Sequence, residues 1–197
     1  MRDTYIYRLG EAIYINLTNR CTNDCTFCVR NNSDGVGGYH LYLQKEPSAQ
    51  DVIALLEKEE NVAEIVFCGL GEPTMRLDAL LETAAYLKTR GSHIRINTNG
   101  QGGAYAGEDI APRLRGLIDI VSVSLNASGA QQYDRLCRSA YGEEAYAHLL
   151  DFAKSCVAQG IDTVLSVVDV IGGDEIEKCR SIAEGIGARL RVRHYIA

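Results

Sequence analysis

The chain has 197 residues, 26 of them acidic and 20 basic, a formal net charge of −6, and 46% hydrophobic residues. That composition is globular. It is too apolar for a disordered polymer, has no long apolar run of the kind that spans a membrane, and has no basic excess that would mark a general nucleic-acid or membrane surface. The opening residues MRDTYIYRLGEA carry early charges and no apolar core, so a secretory signal is not expected and a cytoplasmic setting is.

The elements alternate along the chain. A β-branched run over 12–17 predicts the first strand, and a helix follows over 48–59, where Ser48 stands as N-cap with Asp51 in the first turn and Val52, Leu55 and Leu56 on one face. A second strand is predicted over 63–68. The next helix, over 77–90, has Leu77, Leu80, Leu81, Ala84 and Leu87 at helical spacing and Gly91 as its stop. Strands over 93–97 and 118–126 precede helical stretches over 130–137 and 144–159. A strand over 162–170, a helix over 173–185 and a strand over 190–195 complete the series. In the last strand Arg191, Arg193 and Tyr195 alternate with Val192 and His194, and either set could face inward.

Strand–helix alternation predicts a parallel sheet with crossover helices. A (β/α)8 barrel takes about 250 residues, so six units need about 188. The expected fold is therefore a single domain over 1–197, an open, partial (β/α)6 TIM-like barrel of parallel strands, with a doubly wound sheet as the competitor. In either architecture, sites collect where the strands end.

Polar punctuation does collect there. The first strand runs into TNRCTNDCTFC, the second into GLGEPT, the third into NTNG and the fourth into SLNA. Seven cysteines are an odd number, and without an export signal a disulfide framework is the poorer reading. Cys137, Cys156 and Cys179 are expected as small buried hydrophobes. Cys21, Cys25 and Cys28 differ: spaced C-x3-C-x2-C, they present three thiolates from one loop to a soft cation or cluster. A structural zinc site needs a fourth ligand, which His40 or Cys68 could supply. Iron–sulfur ligation by three cysteines instead leaves one iron open to a small molecule.

The run Cys21-Thr-Asn-Asp-Cys25-Thr-Phe-Cys28, with Gly69-Leu-Gly71-Glu72-Pro73 after the second strand, resembles the radical S-adenosylmethionine (SAM) enzymes. The resemblance implies that Cys21, Cys25 and Cys28 hold a [4Fe–4S] cluster whose fourth iron takes the methionine part of SAM. It implies that the reduced cluster cleaves SAM to methionine and a 5′-deoxyadenosyl radical, which abstracts hydrogen from a substrate. It places the backbone around Phe27 at the adenine, Glu72 on the methionine ammonium, and Asn99, Ser124 and Asn126 along the rest of the cofactor, although many members carry aspartate where Asn126 stands. Gly69 and Gly71 would let backbone approach the ligand. Implied partners are a flavodoxin- or ferredoxin-like electron donor and a substrate that is either a small molecule or a macromolecule. The glycines at 35, 37 and 38 suit a lid over 32–43. The chain looks most like the short stand-alone members associated with TatD-type hydrolases. A non-catalytic zinc- or iron–sulfur-binding interaction module is the alternative from another class.

Overall fold

The computed structural model describes residues 3–59 and 64–195, so the first residue of the strand expected over 63–68 lies outside the described residues. In chain order the strands are β1 (Ile6–Leu9), β2 (Ala12–Ile15), β3 (Gly35–Val36), β4 (Tyr39–His40), β5 (Glu64–Phe67), β6 (His93–Thr98), β7 (Ile120–Ser124), β8 (Asp162–Val168) and β9 (Arg189–Arg193). The helices are α1 (Ala49–Leu56), α2 (Leu77–Thr89), α3 (Gly102–Ala106), α4 (Ala111–Leu114), α5 (Ala130–Cys137), α6 (Glu144–Ala158) and α7 (Gly173–Gly185).

The main sheet has the order β1-β2-β5-β6-β7-β8-β9. Its six strands from β2 to β9 are parallel and consecutive, as expected. The sequence reading did not foresee β1, which runs antiparallel to β2 through a tight turn with Gly10 at φ 61°. It also missed the short α3 and α4, a segment rich in glycine with Pro112 in its second helix and no apolar period.

The two faces of the sheet differ in chemistry. Ile13, Ile15, Ile65, Phe67, Ile94, Ile96, Val121, Val123, Leu165 and Val167 form one core with the buried residues of the larger helices, so the helices cover a single face. This is the arrangement of a partial barrel, and a doubly wound sheet would need helices on both faces. Full burial of each such side chain contributes about 1.5–3 kcal/mol. Helix termini follow local chemistry: Ser48 and Asp51 form a reciprocal capping box at α1, and Gly91 past α2 adopts φ 71°.

The other face is concave. Asn32 Nδ2, on the loop that follows β2, donates to Tyr195 OH, beyond β9, at 3.3 Å, although four strands lie between β2 and β9. In a flat sheet five strand spacings would separate those two strands by about 24 Å, so the contact closes across a curled face. The sheet remains open, with β1 and β9 as its edges. The segment expected as a flexible lid is instead the β3–β4 hairpin. It lies against the β1 edge, where Tyr7, Leu41 and Leu70 form a second apolar cluster with Leu9, Tyr14, Val29 and Val36. Gly35 serves the hairpin's tight crossing: a Cβ there would overlap the Tyr39 carbonyl.

Candidate active site at the strand ends

The three clustered cysteines lie on the loop between β2 and β3, and its conformation is fixed from both sides. At its start, Glu46 accepts from Thr18 Oγ1, from Arg20 Nε at 2.8 Å and from Arg76 Nη1 at 2.8 Å. Burial alone would raise the Glu46 carboxyl, but Arg20 and Thr18 outweigh it and hold it below the usual range. Further along, the loop pairs with the end of α5. Asp24 N donates to the Cys137 carbonyl at 3.0 Å, Thr26 N to the Leu136 carbonyl at 2.9 Å, and Ala140 N to the Thr22 carbonyl at 2.8 Å. Arg138 takes φ 46° at the turn that makes this possible.

Hydrogen-bond donors surround the sulfurs. Cys21 Sγ accepts from Asn23 N at 3.4 Å and lies 3.8 Å from Asn99 Nδ2, and Cys28 Sγ accepts from Arg30 Nε at 3.4 Å. The other guanidinium nitrogens of Arg30 donate to the Asn19 and Asn23 carbonyls, so one side chain ties the loop together and sets a positive charge beside its last thiol. Burial pushes the Cys21 thiol up to about 12. Cys25 is raised by its hydrogen bond with Cys137, then by burial, while Cys137 is lowered by that same bond. Donors aimed at thiol sulfurs are what ligating thiolates of an iron–sulfur cluster require, so the residues present fit such a group. Among the described residues, no three histidine, cysteine or carboxylate side chains come close enough to share one metal ion.

The expected partners converge on this loop. Glu72 is 4% exposed, and its carboxylate accepts four hydrogen bonds: Thr74 N at 3.1 Å, Thr74 Oγ1 at 2.6 Å, Thr98 Oγ1 at 2.7 Å and Asn99 N at 2.7 Å. Its own N–H donates to the Arg20 carbonyl at 2.7 Å. Glu72 therefore joins the cysteine loop to the ends of β5 and β6, and burial still leaves its carboxyl raised. Gly69 and Gly71 are needed for close packing. A Cβ on Gly69 would sit 2.0 Å from Asn16 Oδ1, and one on Gly71 would sit 2.4 Å from the Thr18 carbonyl oxygen. Neither has positive φ.

Asn99 Nδ2 donates to Thr22 Oγ1 at 2.8 Å beside Cys21. Asn126, buried at φ 55°, donates to Cys137 Sγ at 3.5 Å and leaves its buried Oδ1 without a partner. Ser124 pairs in register with Ser166 on the concave face. Phe27 is half-buried and packs against the main core. His40, weighed as a fourth zinc ligand, lies instead beside Asp34 at 3.9 Å.

Several residues of the site gave no signal in the sequence. Gln101, 1% exposed, accepts from Thr22 and Ser139 and donates to Asn23 Oδ1 and Tyr133 OH, joining loop, β6 exit and α5. Tyr133 and Cys137 are spaced i, i+4 on α5, which puts them on one helix face. That spacing was legible, but its target was not. Cys156 and Cys179 are plain buried residues, as expected.

Residues 15–184 match the family model described as "Radical SAM superfamily". The chain is 28% identical over 183 residues to a GTP 3′,8-cyclase of Corynebacterium glutamicum (strain R), covering 86% of this chain and 44% of that protein. It is 30% identical over 110 residues to a probable dual-specificity RNA methyltransferase RlmN of Geobacillus thermodenitrificans, covering 51% of this chain and 28% of that one. The chain thus spans less than half the length of these curated relatives. Among solved structures, Streptococcus suis SuiB bound to S-adenosylmethionine superposes with a TM-score of 0.71 at 16% identity, over 93% of this chain and 40% of SuiB. Native anSMEcpe with bound AdoMet gives 0.63 at 15% identity, over 93% of this chain and 50% of that one. These two show the fold.

Proposed function

Because the chain belongs to the radical SAM superfamily, we propose that it is a radical SAM enzyme whose Cys21, Cys25 and Cys28 each bind one iron of a [4Fe–4S] cluster, with SAM beside them. When bound, the cluster supplies the electron that splits SAM into methionine and a 5′-deoxyadenosyl radical, which takes hydrogen from the substrate. The observation that carries this reading is the set of N–H donors from Asn23, Arg30 and Asn99 on the sulfurs of Cys21 and Cys28.

The chain's own residues then divide the work. Gly69 and Gly71 allow the β5 exit to lie against the cysteine loop, so that Glu72 is held beside it. Glu72 accepts the SAM ammonium through lone pairs that its present donors leave free, a charge-assisted contact. Asn99, Ser124 and Asn126 contact the remaining polar parts of SAM, and the unpartnered Asn126 Oδ1 is an acceptor awaiting a donor. The backbone at Phe27 meets the adenine. A flavodoxin- or ferredoxin-like protein supplies the electron. The substrate, a small molecule or a macromolecule, lies against the concave face. Placement among the short TatD-associated members belongs to the same proposal and rests on the sequence resemblance.

The test is spectroscopic. After anaerobic reconstitution and reduction, SAM is expected to change the EPR signal of the cluster. A fully loaded, reduced cluster whose spectrum ignores SAM would favour the interaction-module alternative.

A further inference from the structure

Side chains of the concave face follow from the register. The helix-covered core takes Ile94 and Ile96 of β6, Val121 and Val123 of β7, and Leu165 and Val167 of β8. The opposite parity faces the concavity: Arg95 and Asn97 on β6, Ser124 on β7 and Ser166 on β8. Ser166 pairs with Arg191 and Val168 with Arg193, so these two arginines of β9 point the same way.

The charges on this face do not cancel. Towards the strand starts each arginine has an acid: Arg95 lies 3.4 Å from Glu64, and Arg189 lies 2.6 Å from Asp162. Even so, Arg95 Nε is buried without a hydrogen-bond partner. Towards the strand ends, where the cysteines are, Arg191 and Arg193 have no carboxylate partner among the described residues. Nearby acids are already engaged, Glu72 by four donors and Asp169 by His194 Nδ1 at 2.8 Å and Tyr195 N at 2.9 Å. Arg191 and Arg193 are both exposed, so their guanidinium groups are open to a ligand. Edge strands often carry charge to discourage pairing. That role does not require two arginines that share the face of Asn97, Ser124 and Ser166 and keep no acidic partner among the described residues.

We propose that Arg191 and Arg193 bind an oxyanion of the substrate, a carboxylate or a phosphate, on the concave face between β6 and β9. The planar guanidinium presents paired N–H donors that match either group. Ser166, next to Arg191 in the register, is buried with its hydroxyl on the Val123 carbonyl, so the two guanidinium groups carry the contact. Only the identification of this anion with the substrate rests on the radical SAM reading. Anion binding itself is a property of the sheet face, independent of any cluster.

The experiment is isothermal titration calorimetry on the full chain at constant ionic strength, with inorganic pyrophosphate and with succinate. One of the two is expected to bind, and which one identifies phosphate or carboxylate. Arg191→Gln/Arg193→Gln should weaken that binding about tenfold or more. Arg180→Gln, on exposed α7 opposite Glu177, should leave it unchanged. Arg191→Lys/Arg193→Lys keeps the charge and should bind between these limits, which separates lost charge from lost fold. Absence of binding by the natural chain, or equal binding by the Gln variant, would overturn the proposal. Anion binding in a protein that cannot form 5′-deoxyadenosine would sink the radical reading and leave this site standing. The converse result would remove only this site.

Discussion

Glu72 meets burial with four hydrogen bonds instead of a cation. Each donor on its two oxygens is an N–H or O–H group belonging to the turn after β5 or to the end of β6. Glu72→Gln keeps the size but turns an amide NH2 towards at least one of these donors. Leaving buried polar groups opposed costs about 1–3 kcal/mol, or roughly 2–12 °C in melting temperature for a chain of this size. Thermal unfolding monitored by circular dichroism checks this, and an unchanged melting temperature would mean the network contributes little. The cysteines give a sharper contrast. Cys21→Ala, Cys25→Ala or Cys28→Ala should each lose most bound iron after reconstitution. Cys137→Ala, beside Cys25 but outside the loop, should retain it, and equal iron loss in Cys137→Ala would reassign the ligand set. At this scale the sequence was most legible where spacing is short, as in C-x3-C-x2-C. Gln101 and Tyr133 reach Asn23 across 78 and 110 positions, Arg30 and Cys137 act through backbone carbonyls, and no local pattern marks such contacts.

The element that carries the site is a loop, and loops keep their shape only when neighbours hold them. Gly71 is one such constraint: a methyl group there would meet backbone oxygens of Thr18 and Arg20 within 2.5 Å. Gly71→Ala should therefore displace the cysteine loop, lowering both melting temperature and iron content, and normal iron loading would contradict this packing role. A second element-level test lies at the opposite end of the sheet. Asp119 accepts from Lys88 Nζ at 2.8 Å and from Ile94 N at 2.7 Å, tying α2, β6 and the start of β7. Burial alone would raise its carboxyl, but Lys88 and the Ile94 N–H outweigh it and hold it below the usual 3.8. A carboxyl depressed in the folded state stabilises above its unfolded value, and that stability is lost as pH falls through the folded value. Asp119→Asn should thus lower stability at neutral pH, and the difference should shrink below about pH 3.8. A difference that persists at pH 2.5 would point to packing instead. Long amphipathic helices such as α2 and α6 were legible through their apolar spacing. β1 was not, because Ile6–Leu9 is only four residues long, without a clean alternation, and gains meaning only from pairing with β2.

The whole molecule is a curled sheet with helices on one face and chemistry on the other. Six parallel strands in sequential order could be read from β-branched runs separated by helical spacing. Which face of β9 points inward could not, because its two alternating sets are both plausible until the register with β8 is known. The hairpin β3–β4 shows the same limit: its glycines suggested mobility, whereas contact with the β1 edge makes it part of the wall. The open side between the β1 and β9 edges leaves the concave face accessible, and Asn32 meets Tyr195 OH at 3.3 Å across the mouth. Access and a three-thiol loop at the strand ends together suit a reaction run on a substrate bound against the sheet. The most direct measurement is anaerobic: reconstitute with iron and sulfide, reduce, add SAM, and quantify 5′-deoxyadenosine against Cys25→Ala. Product from the natural chain and none from the variant is the predicted result. A fully loaded and reduced cluster that yields no 5′-deoxyadenosine would contradict the radical SAM reading.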